Sequence, residues 1–305
     1  MNLSRRRLLA GGATLTALTA CGNNTSRTYP TLIDPAEPLP PIEQRIAATE
    51  KRYNAFVGLY GQNLDSQLLV AHRADDPFAM CSTFKSYLAA RVLQKAQAGE
   101  LRMTDTVLIA PADLVTVNSP RTEPYVGKRM SLSDLCAAAL QVSDNTAANL
   151  LLRTIGGPPA ITAFARSIGD DRTRLDRWET ALNSAIPGDL RDTSTPRALG
   201  GGVQRLLTGD ILDESHRGQL NDWMAANTTS SMRTGLPPGW TTADKTGSGA
   251  YASTNDVGIA FGPNGERILL AIMTRTQSDN PEADTLRQLV ADVTTLVLPE
   301  LTKAR

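Results

Sequence analysis

The chain has 305 residues, 31 lysines and arginines balance 31 aspartates and glutamates, and 41% of the residues are hydrophobic. This length and composition suit one large soluble domain or two interleaved ones, and the balanced charge argues against a nucleic-acid partner. Three cysteines and two histidines are too few for a cysteine-rich zinc site, a disulfide scaffold or a multi-histidine metal centre. We therefore expect neither a metal nor an organic cofactor.

The first 21 residues have the pattern of an export signal. Arg5, Arg6 and Arg7 precede an apolar run that is too short to span a bilayer. The arginines resemble a twin-arginine signal, and the residues that end at Cys21 resemble a bacterial lipobox, in which this cysteine is lipidated. The alternative is an ordinary secretory leader with a chance cysteine. The sequence thus predicts a periplasmic or cell-envelope protein, with a possible lipid anchor at Cys21.

Residues 22–41 are rich in proline, serine and asparagine, which predicts a tether without regular structure. We expect the folded part to start near Ile42. A twin-arginine substrate folds before export, in a reducing compartment, so disulfides are not expected. Cys81 and Cys136 are interpreted as buried free thiols.

The periodicity of apolar residues predicts an α/β chain. A helix over Ile42–Tyr53 precedes strands over Ala55–Tyr60 and Gln67–His72. Six helices follow, over 84–97, 131–141, 147–155, 160–168, 196–207 and 215–226. Strands over 241–247, 257–262 and 267–274 and a closing helix over 282–298 complete the chain.

Strands at both ends of the folded part, with helices between them, predict one antiparallel sheet flanked by helices with an inserted all-helical subdomain. The α/β part takes in about 42–75 and 228–305, and the helical part about 76–227. A cleft is expected between the two parts. The long polar segment 170–192 is interpreted as an Ω-type loop, in which Arg177 or Arg174 pairs with an acid such as Asp192.

Four short motifs carry side chains suited to catalysis, and each alone has a structural explanation. Ser82-Thr83-Phe84-Lys85 starts a helix, where a serine can be an N-cap. Ser143-Asp144-Asn145 joins two helices, Glu179 to Asn183 lies in the long loop, and Lys245-Thr246-Gly247 ends a strand. Composition alone would rarely produce all of them in this order.

Together these motifs resemble a class A serine β-lactamase, and the resemblance covers essentially all of residues 42–305. It implies the fold shared with penicillin-binding transpeptidases, and the hydrolysis of β-lactam antibiotics through an acyl-enzyme. Ser82 would be the nucleophile. Lys85, or Glu179 through a water, would be the base of acylation, and this choice stays open at the level of sequence. Glu179 would also activate the water that releases the acyl group.

The resemblance also assigns roles to the remaining residues. The backbone amides of Ser82 and Ser248 would form the oxyanion hole, and Ser143 would protonate the leaving nitrogen. The side chains expected to hold substrate or water are Asn145, Asn183, Lys245, Thr246, Ser248 and Arg287. Arg287 would bind the substrate carboxylate in place of the arginine that many members carry elsewhere. A monomer is expected.

Two other functions fit part of the pattern. A penicillin-binding enzyme or β-lactam sensor would share Ser82, Lys85, Ser143 and Lys245 but release its product slowly, and Glu179 argues against it. A catalytically silent envelope lipoprotein would keep the fold as a binding module, which the intact motifs disfavour.

Overall fold

The computed structural model describes residues 39–303. The helices of this part are α1 Ile42–Tyr53, α2 Lys85–Gln97, α3 Leu132–Gln141, α4 Asn145–Ile155, α5 Pro158–Ser167, α6 Pro196–Thr208, α7 Glu214–Ala225 and α8 Arg287–Leu301. The strands are β1 Ala55–Asn63, β2 Leu69–His72, β3 Phe78–Ala79, β4 Thr106–Leu108, β5 Arg129–Ser131, β6 Thr193–Ser194, β7 Thr241–Ser248, β8 Thr254–Phe261 and β9 Arg267–Thr276. None of the helices in the described part is long and apolar enough to cross a membrane.

The main sheet has five strands in the order β2-β1-β9-β8-β7, and every neighbouring pair is antiparallel. The first and last strands of the chain meet at its centre, where Leu59 pairs with Ile272. Strand β7 forms an edge of the sheet, and its residue Lys245 pairs with Val257. The predicted antiparallel sheet is therefore confirmed.

Both faces of this sheet are buried. Along β9, Ile268, Leu270 and Ile272 belong to a cluster with residues of α1 and α8, whereas Leu269, Ala271 and Met273 belong to a cluster with the helices between β2 and β7. A strand covered on two sides needs apolar residues at every position, which explains the unbroken apolar run from 268 to 273. The helices between β2 and β7 form the inserted helical part, so the predicted fold class is confirmed.

Helices α3, α4 and α6 each begin with a polar residue whose side chain accepts a hydrogen bond from a backbone amide of the first turn. Ser131 Oγ accepts from Asp134 N at the start of α3, and Asp144 accepts from Ala147 N at the start of α4. Asp144 is therefore the N-cap of α4. Thr195 caps α6 in the same way.

Several predicted boundaries are wrong: β1 ends at Asn63 and not at Tyr60, and the closing helix ends at Leu301 and not at Leu298. The starts of the closing helix and of one strand are also wrong, for different reasons. The closing helix begins at Arg287, not at Glu282, because residues before it bond elsewhere: Leu286 N donates to Thr254 Oγ1 at 2.9 Å. Strand β8 begins at Thr254, not at Val257. Its first three residues, Thr254, Asn255 and Asp256, are polar, so they lack the apolar signal of a strand although they are buried.

The segment 170–192 is closed at its neck by Arg177 and Asp192, one of the two pairings that the sequence left open, whereas Arg174 pairs with Asp176. Arg177 Nε lies 2.5 Å from Asp192 Oδ2, and Asp192 is fully buried. Its Oδ1 also accepts from the backbone amides of Asp176 and Arg177. One carboxylate thus fixes the start of the loop to its end and holds Glu179 at a constant place beside the helical part.

Candidate active site

Ser82 lies in a 3₁₀ turn, Cys81–Phe84, that leads directly into α2. The segment before it is held by Asn255, whose Nδ2 donates to Ala79 O and Met80 O. Strand β7 approaches closely, since a Cβ added at Gly247 would lie 2.6 Å from Met80 O. Only glycine therefore allows the edge strand to lie against the start of the helix.

Lys85 is fully buried one turn after Ser82. Its Nζ lies 2.9 Å from Ser82 Oγ, 2.9 Å from Glu179 Oε1 and 2.7 Å from Asn145 Oδ1. It also lies 2.9 Å from Ser143 O and 3.3 Å from Ser143 Oγ. A single ammonium group thus brings together the nucleophile, the loop glutamate and the junction between α3 and α4.

Glu179 contacts the same serine beside Lys85, because Ser82 Oγ lies 3.1 Å from Glu179 Oε1. Its other oxygen accepts from Asn183 Nδ2 at 2.6 Å. Asn149 of α4 makes two hydrogen bonds to the backbone of Glu179. Its Oδ1 accepts from Glu179 N, and its Nδ2 donates to Glu179 O. Glu179 is thus held in place by hydrogen bonds to both its side chain and its main chain.

The junction between α3 and α4 forms one wall of the site. The buried Asp144 accepts from Thr122 N and Oγ1 as well as capping α4, so it ties the junction to the preceding loop. Asn118 Nδ2 donates to Val142 O and Ser143 O. These bonds present Ser143 and Asn145 towards Lys85.

The end of β7 forms the opposite wall. Thr246 Oγ1 lies 2.5 Å from Thr229 Oγ1, and Thr229 O accepts from Arg287 Nη1 at 3.4 Å. Lys245 is fully buried behind Thr246, and its Nζ donates to Thr246 O. Lys245 therefore does not line the cleft itself, and its charge is separated from the cleft by Thr246. The cleft at this wall is lined by Thr246, Ser248 and Arg287.

Burial changes the protonation of both lysines. It lowers the pKa of Lys85, although Glu179 beside it opposes the change. It lowers the pKa of Lys245 to about 7, helped by the positive charge of Lys85 and opposed by Asp256 and Asp244. A pKa of about 7 means that Lys245 is partly neutral at neutral pH, and the lowered pKa of Lys85 makes this amine a better candidate for accepting a proton than an exposed lysine.

A cleft of about 380 Å³ lies between the two walls. The residues that line it are Ser82, Val117, Asn118, Val142, Ser143, Asn145, Thr180, Asn183, Thr229, Thr246, Gly247, Ser248 and Arg287. Lys85, Glu179 and Lys245 lie buried behind this lining, so all ten residues named from the sequence come together. Sequence reasoning missed Asn149, Thr229 and Asn255, which are single polar residues outside any motif. Within residues 39–303, no cluster of histidine, cysteine or acidic side chains could hold a metal ion.

The site thus places a serine hydroxyl within hydrogen-bond distance of a lysine amine and a carboxylate, two groups that are able to act as bases in a serine hydrolase. The comparisons with known proteins agree. Residues 41–297 match the model of the β-lactamase enzyme family. A β-lactamase from Amycolatopsis lactamdurans is 42% identical over 87% of this chain and 86% of its own.

Solved structures give the same result. The β-lactamase from Desulfarculus baarsii superposes with a TM-score of 0.83 at 41% identity, over 86% of this chain and 98% of that one. A variant of the reconstructed class A β-lactamase of the last common ancestor of Gram-negative bacteria superposes with a TM-score of 0.81 at 43% identity, over 85% and 98%. The chain belongs to the β-lactamase enzyme family, in its serine class A, and the resemblance drawn from the motifs is confirmed.

Proposed function

We propose that this class A β-lactamase hydrolyses penicillins and cephalosporins, and so gives antibiotic resistance, by forming and releasing an acyl-enzyme on Ser82. The observation that carries the proposal is that Ser82 Oγ lies within hydrogen-bond distance of two bases, 2.9 Å from Lys85 Nζ and 3.1 Å from Glu179 Oε1. A serine hydroxyl is a weak nucleophile until a neighbouring base removes its proton.

In acylation, Ser82 attacks the lactam carbonyl while Lys85 or Glu179 takes its proton. The backbone amides of Ser82 and Ser248 stabilise the negative charge on the carbonyl oxygen, and one such donor contributes about 3 kcal/mol. Support for this pairing is the close approach of β7, since a Cβ at Gly247 would lie 3.1 Å from Ser82 N. Ser143, whose Oγ lies 3.3 Å from Lys85 Nζ, passes the proton to the leaving nitrogen.

In deacylation, Glu179 activates a water at the acyl carbonyl. Its Oε2 bond to Asn183 leaves the carboxylate directed at Ser82, and Asn183 also lines the cleft, where it can hold the same water. Removing Glu179 therefore affects the two steps unequally. Lys85 still reaches Ser82 for acylation, whereas release of the acyl group loses its base.

The other lining residues bind the substrate. Asn145 positions the acyl side chain, and Thr246 and Ser248 bind the carboxylate by hydrogen bonds. Arg287 lies at the same end of the cleft and supplies a positive charge, which its contact with Thr229 O supports. Lys245 adds positive charge behind Thr246. No cofactor takes part in this scheme.

Counting turnovers of a chromogenic cephalosporin tests the proposal. We expect many product molecules per protein molecule over minutes from the wild-type chain. Glu179→Ala should give a burst of about one and accumulate a covalent adduct whose mass equals protein plus substrate. A wild-type burst of about one would indicate a penicillin-binding protein instead, and no product at all would indicate a silent binding module. Rapid turnover by Glu179→Ala would contradict the role of this residue.

We also propose that residues 1–21 are a signal peptide with a lipobox, that residues 22–41 are a tether, and that the enzyme domain spans 42–305. Residues 1–38 lie outside the described part of the chain, so support comes from the sequence alone. The enzyme would be an exported monomer in the periplasm or cell envelope, anchored through Cys21. Cys21→Ser should release the protein from the membrane fraction, and unchanged fractionation would refute the anchor.

A further inference from the structure

Two aspartates lie side by side beneath the edge of the active site, and the proposed mechanism does not use them. Asp244 precedes Lys245 on β7, and Asp256 is the partner of Thr246 on β8. Both are fully buried. A Cβ added at Gly258, opposite Asp244, would lie 2.5 Å from Asp244 Cα, so the two strands are too close there for a larger residue.

The two Oδ2 atoms of the pair accept hydrogen bonds, whereas the two Oδ1 atoms do not. Asp256 Oδ2 accepts from Ser231 N and Met232 N, each at 2.8 Å. Asp244 Oδ2 accepts from Asn227 Nδ2 at 2.6 Å. The two Oδ1 atoms have no donor among the described residues, although Arg233 Nη2 lies 3.6 Å from that of Asp244.

One proton held between the two carboxyl groups would satisfy both of these oxygens. Burial and the hydrogen bond with Asp244 raise the pKa of Asp256 well above its usual value. Two adjacent buried carboxylates cannot both be ionised at a reasonable cost, so such pairs retain a proton. The pair then carries a single negative charge.

The pair holds both ends of the segment 227–232, whose middle lines the cleft. At one end Asn227 donates to Asp244 and, through its Oδ1, accepts from Thr229 N and Thr229 Oγ1. At the other end the amides of Ser231 and Met232 bind Asp256. Thr229, between these anchors, contacts Thr246 Oγ1 and the Arg287 guanidinium.

We propose that Asp244 and Asp256 form a proton-sharing carboxyl pair that positions Thr229, and through it Thr246 and Arg287, for binding of the substrate carboxylate. This inference rests on the proposed function, because the pair holds in place the residues that bind the substrate carboxylate in the same cleft. Both aspartates are positioning residues, since neither lines the cleft.

The charged groups around the pair favour the state in which the two carboxyl groups share one proton. Lys245 on β7 and Arg233 in the turn after the 227–232 segment supply positive charge near Asp244. Lys85 lowers the pKa of Lys245 and Glu179 raises it. On β9 the residue opposite Asp256 is the apolar Ile272, which offers neither a charge nor a donor. A second negative charge would thus lack a partner.

The first test separates substrate binding from chemistry. Asp256→Ala removes the acceptor of two amides and so displaces the groups that bind the substrate carboxylate. We expect KM for an anionic chromogenic cephalosporin to rise by about tenfold, which corresponds to the loss of one charge-assisted hydrogen bond to the substrate. The value of kcat should change much less. Asp256→Asn keeps an acceptor for the amides and a donor for Asp244, so it should restore most of the affinity. Asp210→Asn, which removes an exposed carboxylate after α6, is the matched control and should change neither constant.

The second test observes the proton itself and does not depend on activity. Infrared spectra at about pH 8, where ordinary carboxyl groups are ionised, should show a protonated carboxylic acid in the wild-type protein that Asp256→Asn abolishes. Circular dichroism checks that each variant is folded.

The absence of this band, or an unchanged KM in folded Asp256→Ala, would overturn the proposal. If Asp256→Ala does not fold, the band in the wild type and its loss in Asp256→Asn decide it. If the wild-type enzyme hydrolysed no β-lactam, the proposed function would fall, whereas the infrared measurement would still settle whether the pair holds a proton.

Discussion

Asn149 offers the most direct test of how the fold positions the base of deacylation. Its side chain makes two hydrogen bonds to one residue, at 3.0 Å from Glu179 N and at 2.9 Å to Glu179 O. No other side chain of the described residues bonds these two backbone atoms. Asn149→Ala removes both bonds, while the neck of the loop, Arg177 with Asp192, stays intact.

The size of the effect follows from these contacts. A partly buried backbone group left without a partner costs about 1–3 kcal/mol, and Asn149→Ala leaves two of them, Glu179 N and Glu179 O. We therefore expect a loss of about 2–6 kcal/mol in unfolding free energy. The carboxylate of Glu179 is displaced with its backbone, so deacylation should slow by about 100-fold, within the range of general-base catalysis.

The assay is the pre-steady-state burst of a chromogenic cephalosporin, combined with mass spectrometry of the trapped protein and urea denaturation. Acylation should change much less than deacylation, because Lys85 still contacts Ser82. Thr154→Ala in the same helix, which removes only a bond to Leu150 O, is the control. An Asn149→Ala enzyme that turns over at the wild-type rate, without a burst, would refute the reasoning.

Three further outcomes are expected. Arg177→Ala leaves the buried Asp192 without its partner and should lower stability in urea by about 3 kcal/mol, whereas Arg174→Ala, which removes an exposed pair, should cost less than about 1 kcal/mol. Because Lys245 is charged below its pKa of about 7 and neutral above it, KM for anionic β-lactams should rise as pH increases through that value, and a flat profile would contradict its electrostatic role. Arg287→Ala should raise KM for penicillins and cephalosporins alike, and an unchanged KM would exclude it from carboxylate binding.

The sequence was sufficient for features whose causes are local. Helix α4 begins where a capping aspartate, Asp144, is followed by an apolar stripe, and both signals lie within a few residues. The catalytic motifs share this property, since Ser82 and Lys85 are one helical turn apart. Local geometry alone therefore brings the nucleophile and its lysine together.

Features that depend on distant partners could not be predicted. Asn149 is an ordinary polar residue of a helix until residue 179, thirty positions later, is placed against it. Asp256 shows the same limit in a strand. Its carboxyl group weakens the strand signal, and the reason for its burial is the segment 227–232, more than twenty residues earlier. A polar residue whose partner is remote in the chain carries no periodic signal.

The contacts of Lys85 and Glu179 suggest why release of the acyl group is the more vulnerable half of the reaction. The amine of Lys85 lies within hydrogen-bond distance of five oxygens, on Ser82, Ser143, Asn145 and Glu179, so the loss of any one of them leaves the lysine in place. Glu179 Oε1 contacts Ser82 and Lys85, but its Oε2 accepts from one side-chain donor, Asn183, and its backbone is bonded by a single asparagine side chain, that of Asn149. Disturbing that support should convert the enzyme into a protein that is acylated and stays acylated, as expected of a penicillin-binding protein.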